Sequence, residues 1–111
     1  MEYSSSTAPL ILNMYAAKYG IDFYEFLAVG KCESSLRANA LNLKDPNGGS
    51  KGVFQFQPAT FKDFSKDAGI VNADVWNPWH NIETAAYMFS LGEKGKRHWS
   101  CYKILYGGNS G

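Results

Sequence analysis

The sequence has almost no net charge, and it lacks a long hydrophobic run. Eleven basic residues stand against ten acidic ones, for a net charge of +1, so no basic surface for nucleic acid phosphates is expected. No run of about 18 consecutive apolar residues is present, and we therefore expect no membrane-spanning helix. The first residues also lack the basic and apolar regions of a signal peptide. If the protein is exported, we expect its signal to lie outside this sequence.

Cysteine is scarce, and the two cysteines form no common metal or redox motif. Cys32 and Cys101 are too far apart for a CxxC pair or a zinc site. His80 and His98 have no metal-ligand spacing with Cys or acids. The cysteines are therefore either two buried free thiols or a disulfide, whose loop of about 70 residues would stabilise the fold by roughly 4 kcal/mol. We expect no metal and no cofactor.

Two further motifs are incomplete. The stretch DPNGGSKGVFQF begins like a calcium-binding loop, but its sixth residue is Ser50 instead of glycine and its twelfth is Phe56 instead of glutamate. Ser34 and Ser35 have no GxSxG motif around them, and no phosphate-binding loop occurs. An EF-hand, a nucleophilic serine and a nucleotide site of that type are therefore not expected.

The composition is that of one folded domain. Of the 111 residues, 45% are hydrophobic and 15% are aromatic, which is enough large apolar surface for a core at this size. We expect a single domain over residues 8–106, flanked by a flexible N-terminus at 1–7 and a flexible tail or linker at 107–111. The short cluster at 93–98, EKGKRH, is interpreted as a solvated turn.

The pattern of apolar, capping and turn residues predicts a mainly helical α+β protein. Thr7, Pro9 and Gly20 mark the ends of the first helix, and Asp22 is positioned to cap the second. After the second helix, the Gly-, Asn- and Pro-rich residues 38–57 favour a small hairpin or β-like flap. The predicted helices span residues 8–19, 23–37, 58–69, 81–92 and 98–105, with a loop over 70–80 that includes Trp76 and Trp79.

Glu33, in the stretch KCESSLRANA, is the candidate acid. It follows Phe26 and Gly30 by seven and three residues, so it lies on the inward-facing side of the second helix. Burial among apolar groups would raise its pKa and keep a proton available near neutral pH. The alternative is a partly exposed Glu33 paired with Arg37, four residues further on. Helical periodicity alone leaves both open.

Gln55 is the second candidate, in the stretch GVFQF. If this stretch is a strand, Phe54 and Phe56 face one way and Gln55 faces the other. The amide would then either bond a sugar hydroxyl or acetamido group in a cleft, or be satisfied by the backbone. The tryptophans are likewise open to two readings, a sugar-stacking groove or core packing.

Three stretches, taken in this order, resemble lytic transglycosylases of the soluble type. CESS at 32–35 is similar to their Glu-Ser motif, and GVFQFQPATF at 52–61 to their Gly-Leu-Met-Gln stretch. The latter is even more similar to the Gly-Leu-Gln-Phe-x-Pro-x-Thr-Trp stretch of resuscitation-promoting factors. NIETAAYM at 81–88 is similar to the Asn-Ile segment that opens a later transglycosylase helix. The resemblance as a whole covers roughly residues 10–105.

This resemblance implies a lysozyme-like helical domain with a β-flap beside its cleft, and peptidoglycan as the substrate. Glu33 matches the catalytic acid and base, and Ser34 matches the serine that supports it. Gln55 and Gly52 match the glutamine of the glycan cleft and the glycine before it. Phe54 stands in place of the usual methionine and is counted with the substrate-binding residues.

The resemblance also has implications for the two cysteines and for a tyrosine that assists Glu33. Resuscitation-promoting factors have a Cys before the Glu and another after a late Trp, so the resemblance implies a disulfide between Cys32 and Cys101. A disulfide suits an extracytoplasmic location. Many transglycosylases also end in Ala-Tyr-Asn, whose tyrosine helps the Glu. The candidates here are Tyr102, followed by lysine instead of asparagine, and Tyr87.

The expected activity is cleavage of the β-1,4 bond between N-acetylmuramic acid and N-acetylglucosamine, with a 1,6-anhydro end left behind. One carboxylate suffices for this carbohydrate-lyase reaction. An alternative is a muramidase, a hydrolytic glycosidase in which Asp45 holds a water. A third possibility is a lysozyme-like module that binds glycan without cutting it. We expect a monomer that acts on peptidoglycan strands.

Overall fold

The computed structural model describes residues 4–107, and within them the chain is mainly helical with one small sheet. This α+β architecture agrees with the lysozyme-like fold that the resemblance implies. Strands β1 and β2 are antiparallel and pair Leu41 with Lys51 and Asn42 with Ser50. The elements are α1 Ala8–Tyr19, α2 Phe23–Ser34, β1 Leu41–Asn42, β2 Ser50–Lys51, α3 Pro58–Asp67, α4 Pro78–Ser90, α5 Glu93–Lys96 and α6 Ser100–Tyr106.

Local sequence signals explain the first two helices. α1 ends at Gly20, whose φ of 67° lies in the left-handed region that glycine adopts readily. Thr7 occupies the N-cap position of α1, but its side chain makes no capping hydrogen bond. Asp22 caps α2 as predicted, since its carboxylate accepts from the backbone N–H groups of Tyr24 and Glu25.

The predicted end of the second helix at residue 37 is wrong, because α2 ends at Ser34. Ser35 and Leu36 adopt left-handed φ values of 57° and 61°, which an α-helix cannot continue through. Ser34 is held at this point by its hydroxyl, which donates to the backbone oxygen of Val53 at 2.6 Å. The chain therefore leaves the helix directly after Ser34, the residue that follows Glu33, and turns towards the flap.

The later helices also differ from the prediction. α4 begins at Pro78 instead of residue 81, because the Asn77 side chain caps it by accepting from the N–H of Trp79. Trp79 is therefore helical and does not belong to the preceding loop. The cluster at 93–98, interpreted as a turn, contains the short helix α5.

The core is built from aromatic rings that join the helices to the flap. Phe26 of α2 stacks on Phe54, with ring centroids 4.6 Å apart, and Phe89 of α4 meets Phe26 edge-on at 5.0 Å. Trp99 packs against Phe54 and Phe89, and its indole N–H donates to the backbone oxygen of Phe54 at 2.8 Å. Each buried ring of this kind contributes about 1.5–3 kcal/mol. The core thus fixes the flap against α2 and α6.

The flap contains a tight turn where the sequence predicts a strand. Residues 52–55 form turns, with φ of 80° at Gly52 and 52° at Gln55. The buried side chain of Asn81 supports them, because its Oδ1 accepts from the N–H of Phe54 and its Nδ2 donates to the backbone oxygens of Lys51 and Val75. A Cβ atom at position 52 would lie 2.3 Å from Asn81 Nδ2, so the turn requires glycine.

The predicted flexible termini fall largely outside the described residues. Residues 1–3 and 108–111 are not described. In the remainder of the predicted N-terminal segment, the Ser5 hydroxyl accepts a hydrogen bond from the N–H of Ala38 at 2.9 Å. No helix within residues 4–107 combines the length and hydropathy that crossing a membrane requires.

Candidate active site

Glu33 lies at the last turn of α2 and is half-buried. Its neighbours in the chain are both fixed: Ser34 is bonded to Val53, and Cys32 is bonded to Cys101. The alternative in which Glu33 pairs with Arg37 is wrong. The Arg37 Nε instead donates to the backbone oxygen of Ser34 at 3.0 Å, and no ion pair joins the two side chains.

The surroundings of Glu33 favour its protonated form. Burial raises the pKa of Glu33 from 4.5 to about 7, because the charged carboxylate loses hydration. The N–H of Cys101 donates to Oε2 of Glu33 across 3.4 Å and lowers the pKa, while the negative charge of Asp45 raises it slightly further. Burial outweighs the hydrogen bond, so Glu33 keeps a proton on about half of the molecules at neutral pH.

An open cavity of about 310 Å³ lies against Glu33, at the lower end of the range for ligand sites. The flap and the start of α3 supply one group of lining residues, and the segment around the start of α6 supplies the other. Trp99 and Phe56 are buried and in contact, with ring centroids 5.6 Å apart. The lining residues are Glu33, Asp45, Ser50, Gln55, Phe56, Gln57, Thr60, His98, Trp99, Ser100 and Lys103.

Gln55 lines the cavity. Its amide nitrogen is bonded to the backbone, as one prediction has it, whereas its oxygen is not. Its Nε2 donates to the backbone oxygens of Ala40 and Gly52, at 3.1 and 2.9 Å, so the backbone satisfies the amide nitrogen. Its Oε1 has no hydrogen-bond partner among residues 4–107. The two bonds hold the amide in one orientation and leave its oxygen without a partner among the described residues.

Five of the predicted substrate-binding residues do not line this cavity, and their contact with substrate stays a prediction. Phe54 is fully buried in the aromatic core, and Gly52 is buried against Asn81. Tyr102 is buried, and its hydroxyl donates to Glu93 instead of Glu33. Tyr87 packs edge-on against another tyrosine on α1, with ring centroids 6.2 Å apart. Gly52 and Phe54 shape the flap, whereas Tyr87 and Tyr102 support the helices. Ser34 also does not line the cavity and acts through its bond to Val53.

The two cysteines form the disulfide that the resemblance implies. The Cα atoms of Cys32 and Cys101 are 6.0 Å apart, and the bond links α2 to α6. The same Cys101 supplies the N–H that reaches Glu33. Among the tryptophans only Trp99 lines the cavity, while Trp79 is 41% exposed elsewhere. Within the described part of the chain, no cluster of three His, Cys, Asp or Glu residues could hold a metal ion.

Sequence reasoning missed several residues of the site. Asn81 has a sequence signal only through the NIETAAYM motif, although a buried Asn at the start of a helix calls for several hydrogen-bond partners. Ser100 and Lys103 were not singled out, but their spacing of three residues places both on one face of α6. Thr60 and His98 carried no local signal, because only the tertiary fold brings them to the cavity.

Comparison with known protein families matches residues 11–110 to the transglycosylase SLT domain. Neither the curated proteins nor the solved structures give a match. The resemblance to resuscitation-promoting factors stays a prediction. The family match covers the whole of the cavity described above, including α2, the flap and α6.

Proposed function

The chain belongs to the transglycosylase SLT domain family, and from this premise we propose that it is a peptidoglycan lytic transglycosylase in which Glu33 is the catalytic acid and base. The family implies peptidoglycan cleavage of the lytic transglycosylase type. The observation that carries the residue assignment is the position of Glu33, half-buried in a cavity with its pKa raised to about 7. A carboxyl group in that state can donate a proton at neutral pH.

The reaction uses one carboxyl group twice. Protonated Glu33 donates its proton to the oxygen of the β-1,4 bond, the bond from that oxygen to C1 of N-acetylmuramic acid breaks, and an oxocarbenium-like state develops. The Glu33 carboxylate then takes the proton of the C6 hydroxyl of the same sugar. The C6 oxygen bonds to C1, which gives a 1,6-anhydro end and restores protonated Glu33. No water is consumed.

The raised pKa increases the fraction of molecules in which Glu33 carries the proton that the reaction needs. At pH 7, a carboxyl group with its ordinary pKa of 4.5 is protonated in only about 0.3% of molecules, whereas one with a pKa of about 7 is protonated in about half. Burial therefore increases the reactive fraction by about two orders of magnitude. In this proposal Gln55, which lines the cavity, orients the strand by accepting with Oε1 from an N-acetyl N–H.

The mass of the products tests the proposal. Peptidoglycan is digested with the wild-type protein, and the fragments are analysed by mass spectrometry. We expect anhydro ends, which are lighter by one water than reducing ends. We also expect Glu33→Gln to retain its fold and lose wall clearing by at least about a hundredfold, the usual minimum for an acid–base residue. Reducing ends alone would contradict the transglycosylase reaction, and an active Glu33→Gln would contradict the assignment of Glu33.

A second candidate reaction is hydrolysis, which the position of Asp45 favours. Asp45 lines the same cavity as Glu33, and its Oδ2 accepts from the hydroxyl of Ser50 at 2.5 Å. A carboxylate held in this way can orient a water for attack on C1, as in two-carboxylate glycosidases. Asp45→Asn separates the two reactions. A muramidase would lose its activity, whereas the transglycosylase would keep most of it.

The setting of the enzyme follows from substrate and disulfide. Peptidoglycan lies outside the cytoplasm, where a disulfide such as Cys32–Cys101 is stable. We therefore propose an extracytoplasmic location, with residues 8–106 as one monomeric catalytic domain. A module that only binds glycan has no use for an acid with a raised pKa, and the wall-clearing assay distinguishes it from an enzyme.

A further inference from the structure

Lys103 is the lysine of the cavity, and its charge has no assigned use. It lies on α6 at the cavity together with Ser100, three residues before it, and it is exposed. The ion pairs formed within residues 4–107 join Lys18 to Glu83, Lys96 to Glu25 and Arg97 to Glu93, and Lys103 takes part in none. Its ammonium group is therefore not neutralised by an acid of the described chain.

The charge of Lys103 is also not among the causes that shift the pKa of Glu33. The groups that set the pKa of Glu33 are its own burial, the N–H of Cys101 and the charge of Asp45, and Lys103 is not among them. A cation close to Glu33 would lower that pKa. Lys103 therefore lines the cavity without lowering the pKa of Glu33, which is compatible with a contact elsewhere on a bound strand.

We propose that Lys103 binds a carboxylate of the glycan strand and makes the enzyme prefer strands that carry this charge. The inference rests on the proposed function. N-acetylmuramic acid carries a lactyl ether that ends either in a free carboxylate or in an amide to a peptide stem, and the stem has carboxylates of its own. N-acetylglucosamine has none. A lysine ammonium is a point charge on a flexible stem, so it can follow a carboxylate from either source.

The charge of the rest of the cavity favours such a contact. Asp45 is a carboxylate of the lining, and Glu33 adds a second negative charge when it ionises. Both repel an anionic strand. Lys103 supplies the opposite charge on the α6 side of the cavity and offsets this repulsion. Because the pair is partly exposed to water, the expected contribution to binding is modest, about two- to fivefold.

The test measures binding in the Glu33→Gln background, so that strands are not cut during the titration. Three soluble glycans serve as probes: neutral N-acetylglucosamine oligomers, stem-free peptidoglycan oligomers with free lactyl carboxylates, and oligomers that keep their stems. Lys103→Gln removes the charge, Lys103→Arg keeps it, and Lys66→Gln removes a similar exposed charge from α3, outside the cavity. Dissociation constants are measured at low and high salt.

We expect Lys103→Gln to weaken binding of a carboxylate-bearing glycan about two- to fivefold, to leave the neutral oligomers unchanged, and to lose its effect at high salt. Lys103→Arg should restore binding, and Lys66→Gln should change nothing. The glycan that responds identifies the lactyl or the stem carboxylate as the source. An equal loss on all three probes, no loss on any, or the same loss in Lys66→Gln would overturn the proposal. Failure of the proposed function is separate, since it is read from the reaction products of the wild-type enzyme.

Discussion

The backbone N–H of Cys101 donates a hydrogen bond to Oε2 of Glu33, across 3.4 Å. Cys101 is also bonded through sulfur to Cys32, the residue that precedes Glu33 in the chain. The disulfide therefore closes a small ring of contacts around the proposed catalytic acid. It joins the helix that carries the acid to the segment that supplies the acid's backbone donor.

The first prediction concerns this disulfide. The cysteines are 69 residues apart, and releasing a loop of that size should lower the free energy of unfolding by about 4 kcal/mol. Cys32→Ala/Cys101→Ala, or wild type under reducing conditions, is compared with oxidised wild type by urea unfolding. The pKa of Glu33 should also rise if the hydrogen bond from Cys101 is lost, because that bond lowers it. Equal unfolding midpoints for the oxidised and reduced protein would contradict the prediction.

The second prediction concerns the stability of the fold with pH. The pKa of Glu33 is about 7 in the folded protein and 4.5 in the unfolded reference. The folded state thus binds more protons between these values, and its stability falls as pH rises from 4.5 to 7. The full penalty above pH 7 is at most about 3 kcal/mol. Glu33→Gln has no such penalty, so its stability relative to wild type should increase between pH 4 and pH 8.

Urea unfolding at pH 4 and at pH 8 measures this difference. Asp63→Asn, at an exposed position on α3 away from the cavity, is the matched control that also removes one carboxylate. A stability difference between Glu33→Gln and wild type that is the same at both pH values would show that the ionisation of Glu33 is not penalised by the fold.

The third prediction concerns the rate of wall cleavage. The protonated fraction of Glu33 decreases above pH 7, so the rate should fall about tenfold per pH unit on the alkaline side. Asp45→Asn removes the negative charge that raises the pKa, and the fall in rate should therefore begin at a slightly lower pH. Initial rates between pH 4 and pH 9 provide the measurement. A shift towards higher pH in Asp45→Asn would have the wrong sign.

Part of this site can be predicted from the sequence because it depends on interactions between residues that are close together in the chain. The helix that carries Glu33 is predicted from Asp22, which caps it, and from the apolar residues on one face. The prediction that Glu33 lies on the inward-facing side of that helix agrees with the structure, and so does the prediction that burial raises its pKa. The end of the helix is not predictable in the same way. Ser35 and Leu36 take up positive φ angles because the bond from Ser34 to Val53 and the packing of Leu36 fix them there.

The rest of the site depends on contacts between distant segments. The alternation in GVFQF indicates a strand, but the bonds of Asn81 to residues 30 and 27 positions earlier impose a turn instead. Tyr102 is one of two candidates for the family tyrosine, yet its hydroxyl donates to Glu93. The periodicity of the sequence does not predict such contacts between distant segments. The same holds for Lys103, which lies at the cavity because α6 packs against α2.

The last prediction concerns Asn81 and Gly52, which build the flap turn together. Asn81→Ala would leave the N–H of Phe54 and the oxygen of Val75 without the partners they have at 2.9 and 2.8 Å, and should lower the free energy of unfolding by about 2–4 kcal/mol. Wall clearing should fall as well, because the turn positions Gln55. Asn13→Ala, at an exposed position on α1, is the control. Gly52→Ala should also destabilise, since its Cβ would meet Asn81 Nδ2 at 2.3 Å and Val75 O at 2.7 Å.

A double-mutant cycle separates this contact from general damage to the flap. In Asn81→Ala/Gly52→Ala the new Cβ no longer meets the amide nitrogen, although the Val75 oxygen and the φ of 80° at position 52 still oppose it. The two changes together should therefore destabilise by less than the sum of their separate effects, by about 0.5–3 kcal/mol. Urea unfolding of the four proteins gives the coupling directly. Strict additivity would mean that Asn81 and Gly52 act on the turn independently, against the contact described above.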